Sequence, residues 1–205
     1  MLLLRSIVSL CLLLVVAGAH ADDILVWGDS LSAGYRLRAD QSWPSLLQGR
    51  LAAEGFEGRV VNGSVSGETT AGGHSRLPNA LERHRPDVLI LALGANDGLR
   101  GLPPPLMRRN LAGMIDAAHA AGARVLLIGM RLPPNYGPVY AAKFQESFTR
   151  VADDHEVALL PFLLEPIALD AAAFLDDGLH PTAAAQPAIL DHVWRALRPL
   201  LVGGS

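Results

Sequence analysis

Five short apolar runs, Ile24–Trp27, Arg59–Asn62, Val88–Leu93, Arg124–Gly129 and Val157–Leu160, recur along the chain with stretches of helical period between them, and each ends in Gly, Asn or Pro. No other feature limits the fold as much. Runs that are apolar at consecutive positions suit strands buried on both faces, and parallel neighbours need a helical crossover. Leu106–Ala121, closed by Gly122, and Tyr140–Val151, with Tyr140, Phe144, Phe148 and Val151 at helical spacing, supply such crossovers. A last helix follows Pro181, which suits its first turn, and carries Ile189, Val193 and Leu197 on one face. The expected fold class is α/β, a five-stranded parallel sheet with helices on both faces. The chain of 205 residues has room for one such domain, with no repeat, linker or low-complexity tract. Ligands in sheets of this kind bind at the C-terminal ends of the strands, so the residues after each run are where chemistry is to be sought.

The first 21 residues stand apart. Arg5, the apolar run Ile7–Val16 and the small-x-small Ala19-His20-Ala21 have the layout of a secretory signal. The run ends at small residues and then at Asp22-Asp23, where a membrane span needs about 20 consecutive apolar residues. The expected organisation is a signal peptide over 1–21 and a single domain over 22–205. The mature chain starts at Asp22, is periplasmic or secreted, and keeps no stable membrane anchor. The signal holds Arg5 and no acid, so its removal takes the formal charge from −3 to −4. This balance attracts neither nucleic acid nor an anionic membrane surface. The one cysteine, Cys11, lies inside the signal after Leu10, where a lipidation site wants a small residue. The mature chain therefore has no disulfide, thiol nucleophile or cysteine metal ligand.

Four segments carry chemistry. Gly28-Asp29-Ser30-Leu31-Ser32 follows the first run and opens a helix, which places a serine hydroxyl at the mouth of the sheet near a positive helix end. A serine that only caps a helix reads the same way. Asn62-Gly63-Ser64-Val65-Ser66-Gly67-Glu68-Thr69 follows the second run, a glycine-rich turn whose N–H groups suit a negative oxygen. It is not a nucleophile elbow, because Val65 sits where serine would be needed. Gly94-Ala95-Asn96-Asp97-Gly98 follows the third run and offers the Asn96 amide as a donor, or is an ordinary turn. In Asp176-Asp177-Gly178-Leu179-His180-Pro181 a carboxylate three residues before a histidine can hold the imidazole Nδ1–H and leave Nε2 as a base, although a solvated loop histidine has the same pattern.

Taken together and in this order, the segments resemble the four sequence blocks of the SGNH (GDSL-type) hydrolase superfamily over essentially the whole mature chain. Gly28-Asp29-Ser30-Leu31 looks like the nucleophile block, Gly67 the second, Gly94-Ala95-Asn96-Asp97 the third and Asp177-x-x-His180 the fourth. The resemblance implies a three-layer flavodoxin-like fold, with Ser30 as nucleophile, His180 as base and Asp177, chosen over Asp176 by the block spacing, as its partner. It also implies an oxyanion hole from the Ser30 and Gly67 N–H groups and Asn96. Val26–Tyr35, Asn96–Gly101 and Arg131–Gly137 are further similar to the bacterial periplasmic thioesterase, arylesterase and lysophospholipase subgroup. Small-molecule aryl esters, acyl-thioesters and lysophospholipids are the substrates this implies, for a monomer. Ala95, where glycine is frequent, and Gly63-Ser64-Val65 depart from the pattern and bear on pocket shape. An acyltransferase or polysaccharide deacetylase with the same triad is the alternative, and a non-catalytic binder is another.

No cofactor or metal is expected, since His20, His74, His84, His119, His155 and His192 lack metal spacing with acids or one another. The acyl pocket is expected from Gly98–Pro105 and Arg131–Tyr140, which follow strands and join Gly or Pro to apolar side chains. Leu99, Leu102, Leu132 and Tyr136 are the expected lining, with Gly98 and Gly101 letting the first segment move over the substrate.

Overall fold

The computed structural model describes residues 22–202, so the expected signal peptide lies outside the described residues. Five strands, β1 (Ile24–Gly28), β2 (Val60–Asn62), β3 (Val88–Ala92), β4 (Arg124–Ile128) and β5 (Ala158–Leu160), form one sheet in the order β2-β1-β3-β4-β5. Every neighbouring pair is parallel. The α/β sheet expected from the five apolar runs is therefore the observed one.

Alternation along the strands divides the core in two, because successive side chains point to opposite faces. Ile24, Val26, Val88, Ile90, Leu126 and Ile128 meet the helices α2 (Trp43–Ala53) and α7 (Gln186–Val202) through Trp43, Leu47, Ile189 and Val193. Leu25, Trp27, Leu89, Leu91, Val125 and Leu127 meet α3 (Thr70–His84), α5 (Pro104–Ala120) and α6 (Pro138–Asp154) on the other face. With both faces covered, the central strands β1 and β3 are buried at every residue.

The short helices α1 (Ser30–Ala33) and α4 (Ala95–Leu99) follow β1 and β3 directly. In the order 2-1-3-4-5 the crossovers change side between β1 and β3, and this opens a crevice at the C-terminal ends of those two strands. Ser30 and Asn96 stand at its two sides.

One local expectation is corrected. The last helix begins at Gln186, and Pro181 is not in its first turn. Pro181 instead closes a small hairpin in an antiparallel bridge with Phe174, flanked by the bonds Leu175 N–H to His180 O and Thr182 N–H to Ala173 O, both 2.8 Å. The residue carries no N–H to lose there, and the hairpin holds the turn that bears His180. The Asn96-Asp97-Gly98 stretch is not an ordinary turn but lies within helix α4.

Candidate active site

Ser30 is the first residue of α1, and the Asp29 carboxylate caps that helix by accepting from the Leu31 N–H at 3.0 Å. Gly28 makes the sharp exit from β1 possible: a Cβ there would lie 2.7 Å from Ser32 Oγ. The half-buried Ser30 hydroxyl is 2.9 Å from His180 Nε2, across 150 residues of sequence. His180 Nδ1 is 2.8 Å from Asp177 Oδ2. The other oxygen, Asp177 Oδ1, accepts from the Leu179 and His180 N–H groups at 2.9 and 3.0 Å, a tight turn that Gly178 completes at φ +64°. The His180 and Leu179 N–H groups and then the imidazole hold the Asp177 carboxyl well below the usual carboxylate range. Tyr35 packs on the His180 ring with centroids 4.3 Å apart. Among the described residues the carboxylate bonded to His180 is that of Asp177; Asp176 is exposed and bonds to neither nitrogen.

Gly67 and Asn96 line the same cavity as Ser30 and His180. Gly67 adopts φ +78°, which favours glycine, and Arg100 Nη2 holds its carbonyl at 2.9 Å. The Ser30 and Gly67 N–H groups donate to no described residue. Asn96 Nδ2 donates to Asp29 Oδ2 at 3.3 Å, leaving its second N–H for the cavity. Asp29 is 1% exposed, and burial pushes its carboxyl up to about 6, with the Leu31 N–H, Asn96 and His180 favouring its charge and Asp97 opposing it. Asp97, also buried, accepts from Thr70 N–H and Oγ1 at 2.8 and 2.6 Å, and Asn110 Nδ2 donates to the same hydroxyl at 3.0 Å.

From these polar groups a cavity of about 570 Å³ extends between Leu99, Met130, Leu132, Phe162, Leu164 and Phe174. Leu99 and Leu132 are where the sequence puts them. Leu102 and Tyr136 are not among the lining residues and are corrected. The Tyr136 hydroxyl donates to the Leu99 carbonyl at 3.0 Å, so it stands behind the wall, and the Leu102 carbonyl is taken by Tyr140 Oη at 2.8 Å. Gly98 is no hinge either: it sits inside α4, and a Cβ on it would lie 2.6 Å from Phe144 and 2.7 Å from Leu132. Sequence reasoning missed Phe162, Leu164 and Phe174. Phe162 and Leu164 follow β5 directly, so the rule that led to the segments after the other strands also reaches them, whereas Phe174 comes to the wall through the hairpin it forms with Pro181. Among the described residues no three His, Cys, Asp or Glu side chains are grouped to hold a metal ion.

A serine bonded to an imidazole that is itself bonded to a carboxylate has the arrangement for acyl transfer, and the neighbouring N–H donors suit a tetrahedral oxyanion. The profile of the GDSL-like Lipase/Acylhydrolase family matches residues 26–187. The chain is 48% identical to the esterase TesA of Pseudomonas aeruginosa over 94% of its own length and 96% of that protein's. It is 41% identical to the thioesterase 1/protease 1/lysophospholipase L1 of Escherichia coli K12, over 92% of this chain and 89% of that one. The crystal structure of TesA superposes with a TM-score of 0.85 at 48% identity, covering 87% of this chain and 99% of the other.

Proposed function

The chain belongs to the GDSL-like lipase/acylhydrolase family and is an ester hydrolase, and from that premise we propose that Ser30, His180 and Asp177 are its catalytic triad. The observation that carries this is the unbroken line of contacts from Ser30 Oγ through His180 to Asp177, at 2.9 and 2.8 Å. His180 Nε2 takes the proton of Ser30 as its oxygen attacks the acyl carbon. Asp177 fixes the tautomer and favours the imidazolium that forms. The oxyanion is held by the Ser30 and Gly67 N–H groups and by Asn96, and each such donor contributes about 2.7–4 kcal/mol to the transition state. His180 then gives its proton to the leaving oxygen or sulfur, and water, activated by His180 in turn, releases the acyl group from Ser30.

The substrates are aryl esters, acyl-thioesters and single-chain phospholipids. Their acyl chain lies along Leu99, Leu132 and Phe162, in a cavity of about 570 Å³, while the leaving group faces solvent beside His180. The protein works as a monomer, its mature domain runs from Asp22 to Ser205, and residues 1–21 direct its export to the periplasm or beyond. Among the described residues no helix is long and apolar enough to cross a membrane. A phosphonate ester that reacts with activated serines tests the triad, together with a panel of p-nitrophenyl and acyl-CoA esters. Wild type should be labelled once, at Ser30, and Ser30→Ala should neither label nor turn over while melting as wild type does. Labelling or turnover that survives in Ser30→Ala would move the nucleophile elsewhere.

A further inference from the structure

Resting on the assignment of Ser30 and Asn96 to the reaction site, we propose that Asp29 is a positioning residue of the oxyanion hole: its carboxylate sets the rotation of the Asn96 carboxamide, so that one Nδ2–H is anchored and the other is aimed at the oxyanion. The two Asp29 oxygens are divided between two tasks. Oδ1 accepts from the Leu31 N–H at 3.0 Å, and Oδ2 accepts from Asn96 Nδ2 at 3.3 Å, joining the loop after β1 to the helix after β3. An ionised carboxylate only accepts, so it can face the NH₂ end of a carboxamide and never the carbonyl end. The NH₂ group is planar, with its two hydrogens about 120° apart, so fixing one on Oδ2 directs the other.

Capping does not require this charge. Asn and Ser cap helices about as well as Asp, and an anion that is 1% exposed is costly to bury. The second partner is what distinguishes a carboxylate here.

Asp29→Asn separates the two tasks. Its Oδ1 keeps the Leu31 N–H, which leaves its own NH₂ toward Asn96; two donors then meet, and Asn96 must turn its carbonyl to Asp29→Asn and its NH₂ away from the oxyanion. Turnover of a p-nitrophenyl ester by Asp29→Asn, by Asn96→Ala and by the double variant is the test, with thermal melting run on each. Both single variants should lose about a hundredfold in kcat. KM should stay within about twofold, and the double variant should fall no more than about threefold below the lower single one, because both changes remove the same donor. If Asp29→Asn does not fold, Asp29→Ser keeps the cap, leaves Asn96 without its anchor and is measured the same way. Losses that multiply in the double variant, or an Asp29 variant that turns over like wild type beside a crippled Asn96→Ala, would overturn the proposal. A fully active Asn96→Ala would instead remove the oxyanion assignment beneath it.

Discussion

Asp97 accepts two hydrogen bonds from Thr70, one from its backbone N–H at 2.8 Å and one from its hydroxyl at 2.6 Å, and both residues are buried. Thr70 starts α3, three residues after Gly67, and Asp97 follows Asn96 in α4. This pair fastens together the segments of Gly67 and Asn96, the residues proposed to donate to the oxyanion.

Thr70→Val should therefore affect stability and turnover together. It leaves one Asp97 lone pair and the Asn110 amide without their hydroxyl partner in a buried site, a cost of about 1–3 kcal/mol. Urea unfolding reads the first effect and kcat the second, and Thr70→Ser should restore most of both. If Thr70→Val unfolds at the wild-type urea midpoint, the pair does not hold the segments.

The two neighbouring aspartates should differ sharply. Asp177→Asn removes the charge bonded to His180 Nδ1 and should lower kcat by about three to four orders of magnitude. Asp176→Asn alters an exposed group that His180 does not touch and should leave kcat within about twofold. Kinetics of the two purified variants on one aryl ester decide it, and the reverse ranking would reassign the triad.

Stability should carry the signature of Asp29. Its carboxyl is pushed up to about 6 from an ordinary 3.8, so between those values the native state binds the proton more tightly than the unfolded chain. The contribution of this residue to stability therefore falls as pH rises from about 4 to about 6 and stays lost above that. At 1.36 kcal/mol per pKa unit the loss is about 3 kcal/mol. Asp29→Asn has no such charge, so relative to wild type it should gain about that amount between pH 4 and pH 7.5. Urea unfolding of both proteins across this range measures it. A gap that stayed constant with pH would mean that ionising Asp29 costs the fold nothing.

Chain-length preference should follow the cavity wall. Leu99→Ala removes apolar contact with a long acyl chain and should shift the ratio of long- to short-chain turnover by about tenfold or more, since a single methylene in an apolar pocket is worth about 1–3 kcal/mol. Leu102→Ala, outside the wall, should leave that ratio alone. A panel of p-nitrophenyl esters from two to twelve or so carbons separates the two outcomes. Equal loss at every length in Leu99→Ala would place the acyl chain elsewhere.

Strand positions, fold class and the candidacy of Ser30, Asn96, Asp177 and His180 are legible in the amino-acid sequence, because each depends on local order. Apolar runs pair as strands, fully buried at the centre of the sheet and only partly so in β2 and β5 at its edges, and short motifs beside them keep their spacing. The Asp177–His180 contact spans three residues, so the segment that encodes it also builds it. Side-chain partnerships between distant segments are not legible in the same way. That Asp29 meets Asn96 across 67 residues, that Asp97 meets Thr70, and that Tyr136 stands behind Leu99 follow from how the elements lie at the C-terminal edge of the sheet. The same holds for Phe174 in the cavity wall and for the hairpin in which Pro181 ends. Local pattern and burial are enough to specify the sheet, and to single out the candidate residues at its edge, from the order of the residues alone. Which donor is aimed where, and which apolar residue faces the substrate, is settled only by packing in three dimensions, because both depend on contacts between segments that are far apart in the chain.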